Sequence, residues 1–160
     1  MNGYSYGLTR WAFNKEGDIK NQMSSKELKN IAKQIISNLN SCGFVIQRYD
    51  AVTTQSIYLK LDYGVCNSIR ISNHQGKKHL KYRYNIILDG KTEDIYDGYI
   101  RHYYAFTDSD KMIEKIKSDR EEKIKQYGCT RYREFMNTNK MNHKKDKGFW
   151  KDSYIVSDKR

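Results

Sequence analysis

The chain has 160 residues, of which 38% are hydrophobic and 31% charged, and its formal net charge at pH 7 is +11. This length suits one domain with a buried core, and so large a positive excess predicts a polyanionic partner such as nucleic acid or a nucleoprotein. The three cysteines form no C-x-x-C pair, which favours reduced thiols over a disulfide framework. Because no apolar run reaches the ~18 residues of a membrane span and no signal-peptide core is present, we expect an intracellular protein without a membrane partner.

Residues 1–23 form an arm in which Tyr4, Tyr6, Trp11 and Phe13 alternate irregularly with basic residues. Aromatic and basic side chains in such an arm can stack on bases and pair with phosphates. Alternatively, the aromatic residues cover one side of a sheet. The sequence leaves both interpretations open.

The first helix is predicted over residues 24–40. Ser24 and Glu27 have the spacing of a capping box, and Gly43 provides a C-terminal stop. The apolar residues between them recur at helical spacing: Leu28, Ile31, Ala32, Ile35, Ile36 and Leu39. This stripe is wide enough to pack on a sheet.

Alternating apolar and polar residues predict strands over residues 44–51 and in three runs within 56–88. The breaks at 63–67 and 75–78 are short and contain glycine, which favours antiparallel hairpins over parallel crossovers. One face of this meander is predicted to be the core: Ile57, Leu59, Leu61, Ile69, Ile71, Leu80, Tyr82, Tyr84, Ile86 and Leu88. Residues 95–106 are predicted as a further strand, with a possible bulge at Gly98.

A second helix is predicted between a cap at Thr107 or Asp108 and Gly128, followed by a short helix over residues 130–137. From residue 138 the chain is polar and lysine-rich, although Phe149 and Trp150 can dock on the body or a partner. The predicted fold is α+β: an antiparallel sheet of four or five strands packed by two amphipathic helices, with flexible basic ends. The predicted divisions are an arm (1–23), a domain (24–137) and a tail (138–160).

The second face of the meander is predicted to be polar and basic. Its cations come from consecutive strands and their connection, so they cluster without any long-range assumption, and nearby aromatic rings can add stacking. The residues expected to contact nucleic acid or a partner are Tyr58, Arg70, Lys77, Lys78, Lys81, Arg83 and Arg101. The alternative is an ordinary solvated sheet face with excess lysine.

Two catalytic or metal-binding alternatives are weaker. A Mg²⁺-dependent nuclease would use Asp62 and His74, but the acidic cluster and the motifs of such enzymes are missing. The C-x7-H-x4-H spacing of Cys66, His74 and His79 does not match a structural zinc site. Asn73 and His74 are more simply explained as residues that close a turn. We therefore predict no catalytic residue, no metal ligand, no cofactor and no enzymatic activity.

The run SIRISNH, residues 68–74, resembles a strand in small phage proteins that inhibit type II CRISPR effector nucleases. In those proteins a further strand and a helix similar to residues 110–116 (DKMIEKI) follow. A short Tyr-Arg-Phe stretch near their end is similar to residues 131–135 (RYREF). The likeness covers about half of the chain.

This resemblance implies a virus-encoded protein that acts in the cytoplasm of an infected bacterium. It would bind a host CRISPR effector nuclease, its guide RNA or both, and block the nuclease without turnover. The alternative function is a general DNA- or RNA-binding accessory protein, which would bind naked polyanions with a steep salt dependence. The sequence does not identify the oligomeric state.

Overall fold

The computed structural model describes residues 24–52, 54–73, 82–87, 93–96 and 99–156, with only the backbone for 93–96 and for Tyr99. The helices are α1 (Ser25–Ser41), α2 (Ser109–Tyr127) and α3 (Cys129–Met141). The strands are β1 (Ile46–Asp50), β2 (Ile57–Leu61), β3 (Ser68–Ile71), β4 (Tyr84–Ile87), β5 (Glu93–Tyr96), β6 (Tyr99–Ala105) and β7 (Tyr154–Val156). Short 3-10 turns follow β2, precede α2 and occur twice between α3 and β7.

The seven strands form one sheet in the order β5-β6-β4-β3-β2-β1-β7. The α+β class is therefore confirmed. The sheet is mixed, however, because β4 runs parallel to both β3 and β6, whereas the other neighbours are antiparallel. The prediction of a purely antiparallel sheet of four or five strands is wrong.

Strands β3 and β4 can pair in parallel because β4 begins later in the chain than the sequence pattern predicts. The sequence pattern places the start of this strand at Leu80, which leaves room only for a hairpin. The strand starts at Tyr84 instead, so that residues 72–83 connect β3 to β4. A connection of a dozen residues is long enough for a parallel return.

The region predicted as one strand over 95–106 is two antiparallel strands, β5 and β6. Their register places Tyr96 opposite Tyr99. β6 lies between β4 and β5, and β5 lies at one edge among the strands that the structure describes.

Helix α1 begins as the sequence predicts. The Ser24 hydroxyl accepts from the Glu27 N–H (3.1 Å), and the Glu27 carboxylate accepts from the Ser24 N–H (2.9 Å), which completes the capping box. The apolar stripe of α1 is buried, with Leu28, Ala32 and Leu39 at most 1% exposed. This stripe directs α1 onto the sheet.

The hydrophobic core lies between one face of the sheet and helices α1 and α2. It includes Ile57, Leu59, Leu61, Ile69, Ile71, Tyr84 and Ile86 from the sheet, which confirms those predicted core residues. Helix α2 adds Met112, Ile113 and Ile116. Tyr82 instead packs against Tyr58 on the other face, with ring centroids 5.1 Å apart. Leu80 and Leu88 lie outside the described residues.

The C-terminal region belongs to the folded body. Helix α3 continues to Met141, and β7 pairs antiparallel with β1, with Gln47 opposite Ile155. The prediction of a flexible tail from residue 138 is therefore wrong for residues 138–156. The predicted arm, residues 1–23, lies outside the described residues.

Candidate functional site

The second face of the sheet, expected to be an open basic surface, is largely buried. Cross-strand register aligns Tyr58, Arg70, Asn85 and Tyr103 across four strands of this face. Arg70 is 4% exposed, Arg101 5% and Tyr58 8%. The expectation that these three side chains lie on an open cationic face is wrong.

Buried polar groups on this face bond to one another. The Arg70 guanidinium donates to the Ser72 hydroxyl (3.1 Å), which lies 2.7 Å from the Ser56 hydroxyl. The Asn85 amide donates to the Tyr82 carbonyl (2.8 Å). Because burying polar groups is costly unless they are hydrogen-bonded, these contacts make a buried polar layer tolerable.

Residues 143–152 cover part of this face. The Phe149 ring stacks on Tyr49 (4.4 Å between centroids) and lies 4.7 Å from Tyr58. The Lys60 ammonium lies 4.6 Å from the centre of the Trp150 ring and 3.5 Å from the Asp146 carboxylate. The aromatic pair in the lysine-rich region therefore docks on the body, one of the two possibilities that the sequence left open.

The other predicted contact residues, and the predicted turn residues Asn73 and His74, are separated from this layer or lie outside the described part. Arg83 is partly buried beside Asp119, with Nε 3.8 Å from Oδ2. Asn73 is partly buried after β3. The remaining ones lie outside the described residues: His74, Lys77, Lys78 and Lys81.

Asp62, the carboxylate of the nuclease alternative, is fully buried in a structural cluster. Its Oδ1 accepts from the Val45 N–H (2.9 Å), and its Oδ2 accepts from the Tyr132 hydroxyl (2.6 Å). Arg120 Nε lies 3.0 Å from Oδ2, so the two side chains form an ion pair, although the contact at Nε does not have the geometry of a hydrogen bond. A metal ion would have to displace these groups, so the structure gives Asp62 a role in the fold.

The cluster connects three segments that are distant in the sequence. The Arg120 guanidinium also donates to the Cys42 and Gly43 carbonyls (3.2 and 3.3 Å) at the end of α1, where the helix dipole favours a cation. The same group stacks over Phe44, 4.1 Å from the ring centre. Burial and the hydrogen bond to Asp62 raise the pKa of Tyr132 well above its ordinary value, so this hydroxyl stays a donor.

Asp119 forms a second such cluster on α2. It accepts from the Tyr84 hydroxyl (2.6 Å) and pairs with Lys115 (2.9 Å). Burial raises the pKa of Tyr84, and the bond to Asp119 adds to the effect. No group of three or more metal-ligating side chains occurs among the residues that the structure describes.

The exposed cations of the described chain are concentrated elsewhere than on the sheet face. Seven of them belong to α3 and the segment after it. Arg131 pairs with Glu134, and we call the other six the C-terminal cation group: Arg133, Lys140, Lys144, Lys145, Lys147 and Lys151. Within the described ranges, none of the six forms an ion pair. The amino-acid pattern does not predict this surface, because a polar, lysine-rich stretch such as residues 138–160 is typical of a flexible tail.

A cavity of about 340 Å³ lies where α2 and α3 meet the turn after β2. Tyr127 and Phe135 form one wall, with ring centroids 5.4 Å apart and planes at 83°. Lys123 lines the same cavity and donates to the Val65 carbonyl (2.8 Å). The arrangement combines two aromatic faces with a fixed ammonium group.

Comparison with known proteins adds no relative: no family model matches the chain, and neither a curated protein nor a solved structure is significantly similar to it. Within the described residues, no helix has the length and apolar character needed to cross a membrane.

Proposed function

We propose that this protein binds polyanions without turnover, and that the C-terminal cation group supplies the main electrostatic contacts. The observation that carries the proposal is the position of these six exposed, unpaired side chains on α3 and the segment that follows it. Cations that are free of carboxylate partners can neutralise phosphates and release counterions on binding.

The positions of three carboxylates also support this proposal. Asp62 and Asp119 are engaged inside the fold, and Asp146 faces Lys60 and His143. These carboxylates therefore do little to screen the cations that point outward. Residues 129–156 contain seven lysine and arginine residues against three aspartate and glutamate residues, so this part of the chain carries an excess of positive charge.

The narrower proposal is a phage-encoded inhibitor of an RNA-guided nuclease, acting in the infected bacterial host. It is supported by the resemblance of residues 68–74 to phage inhibitors of type II CRISPR effectors. Ile69 and Ile71 of this stretch are core residues, so the likeness bears on the central strand of the fold. The contact residues would then be the C-terminal cation group instead of the predicted sheet face.

One experiment separates the inhibitor from a general nucleic-acid binder. Purified protein is added to a guide-loaded type II effector nuclease, and both target-DNA cleavage and guide integrity are followed. The inhibitor proposal expects stoichiometric loss of cleavage with intact guide. Normal cleavage in excess protein, together with salt-sensitive binding to naked RNA or DNA, would favour the accessory protein.

A charge-matched pair of variants tests the surface itself. Replacing Lys144, Lys145 and Lys147 by glutamine should weaken binding and reduce the slope of log affinity against log salt by up to about 2–3. The matched control replaces the exposed α1 residues Lys26, Lys29 and Lys33 by glutamine, which changes net charge equally. Equal losses in the two triple variants would mean that net charge acts without a defined surface.

A further inference from the structure

We infer that the cavity between α2, α3 and the turn after β2 binds an unstacked base of a single-stranded nucleic acid. The inference rests on the proposed polyanion binding and adds a base site to it. The cavity is lined by Gly64, Val65, Lys123, Tyr127, Phe135, Thr138 and Asn139.

The two rings offer an aromatic surface that the core does not use. Tyr127 is 42% exposed although it is a large apolar side chain, and Phe135 is partly buried beside it. Their planes meet at 83°, which leaves a corner in which a flat base can stack on one ring and meet the edge of the other. Base stacking on aromatic side chains tolerates any base, because every base has a π-face.

The rim of the cavity carries groups that suit the edge of a base. The Asn139 amide donates to the Tyr63 carbonyl (2.8 Å), which fixes the amide at the rim, and its oxygen is an acceptor. Thr138 adds a hydroxyl that can donate or accept.

Charge around the cavity favours an anionic backbone. The Val65 carbonyl takes one of the three donors of the Lys123 ammonium, which leaves two for phosphate oxygens. The Arg131 guanidinium lies 5.8 Å from the centre of the Phe135 ring and 3.9 Å from the carboxylate of Glu134, so its charge is partly offset. A neighbouring cavity of about 510 Å³ shares Val65 and Lys123 and adds Arg83 and Lys125. A strand with its base in the first cavity can place the adjoining phosphate in the second.

The neighbouring cavity also contains two carboxylates. Asp119 is already bonded to Tyr84 and Lys115, whereas Glu122 is exposed. Glu122 would repel a bound phosphate, so Glu122→Gln should bind a single strand more tightly than the wild type.

The test compares a short fluorescein-labelled oligouridylate with an abasic oligonucleotide of the same length, by fluorescence anisotropy. Both probes carry the same phosphates, and only one carries bases. The wild type should bind the oligouridylate about 5- to 150-fold more tightly, the range expected for stacking of one base. Tyr127→Leu and Phe135→Leu should remove most of this difference and leave binding of the abasic probe unchanged.

Leucine keeps apolar volume at both positions, and circular dichroism shows whether the variants fold. Phe106→Leu is the matched control, because Phe106 is 38% exposed and lies outside the cavity. Equal wild-type affinity for the two probes would overturn the base site and leave polyanion binding intact. Failure to bind either probe at low salt would overturn the proposed function and the base site together.

Discussion

The Nε atom of Arg120 lies 3.0 Å from Oδ2 of Asp62, and the Asp62 side chain is entirely buried. Asp62 also occupies the left-handed backbone region at φ 51°, which aspartate and asparagine tolerate better than other residues with a side chain. Asp62 therefore combines a turn-forming backbone with a buried charge that Arg120 and Tyr132 stabilise.

Removing the charge of Asp62 should be strongly destabilising. Asp62→Asn preserves the tolerance for positive φ but leaves Arg120 without its carboxylate, and we expect a loss of about 3–5 kcal/mol in the free energy of unfolding. Urea denaturation measures this loss. Glu134→Gln, at an exposed carboxylate on α3, is the control and should change stability by about 0.5 kcal/mol or less.

Tyr132→Phe should lower the free energy of unfolding by about 1.5–3 kcal/mol, because it removes a hydrogen bond to a charged group. Its effect should not add to that of Asp62→Asn, since both remove the same contact. A double-mutant cycle by urea denaturation measures the coupling, expected at about 0.5–3 kcal/mol. Additive losses would show that the contribution of the Tyr132 hydroxyl does not depend on the charge of Asp62.

The thiol of Cys66 should be unreactive in the native protein. Burial, with a smaller effect from the charge of Asp62, raises the pKa of Cys66 to about 12, and the thiolate is the reactive form. Cys42 and Cys129 are exposed. Titration with a thiol reagent at pH 8 should modify Cys42 and Cys129 quickly and Cys66 only after a denaturant is added. Rapid modification of Cys66 in native conditions would contradict its burial.

The raised pKa values of buried groups predict that the free energy of unfolding falls at alkaline pH. The pKa values of Cys66 and Tyr82 are each raised to about 12, above their ordinary values of 9.0 and 10.0, with burial as the first cause for both. As pH rises from 9 to 12 the unfolded chain loses these protons first, so unfolding becomes more favourable. Each group contributes up to about 1.4 kcal/mol per pH unit. Urea midpoints should be level near neutral pH and fall above pH 9.

The Phe149 ring should hold the C-terminal segment on the sheet. Phe149→Ala removes the stack on Tyr49 and the contact with Tyr58, and we expect the free energy of unfolding to fall by about 1–3 kcal/mol. Trypsin should then cleave faster at Lys147 and Lys151. Val52→Ala, at a side chain 88% exposed, should leave the cleavage rate unchanged. Unchanged cleavage in Phe149→Ala would mean that β7 alone anchors the segment.

Local sequence patterns predicted the elements whose stabilising contacts are close in the chain. Ser24 and Glu27 identified the start of α1, and period-2 alternation identified β1, β2 and β3. The dipeptide Asp97-Gly98 was interpreted as a bulge, although Asp-Gly between alternating residues is also a strong hairpin signal. That signal would have separated β5 from β6.

Contacts between distant residues could not be predicted in this way. Alternation placed Tyr58 and Arg70 on one face, but whether that face meets water depends on segments such as residues 143–152 that lie far away in sequence. Tyr132 reaches Asp62 across 70 positions, and Tyr127 meets Phe135 only because α3 folds back after Gly128, at φ 89°. Nothing in the spacing of these residues indicates such contacts.

Four properties could be predicted from the amino-acid pattern, because each depends on composition or on periodicity within one element: the α+β class, the stripe of α1, the core face of the first strands and the net charge of +11. Four others became visible only in the folded chain: which cations are exposed, the parallel direction of β4, the role of Asp62 and the cavity at Tyr127. Those properties depend on which distant segments cover one another, and burial of a side chain is a property of its neighbours in space.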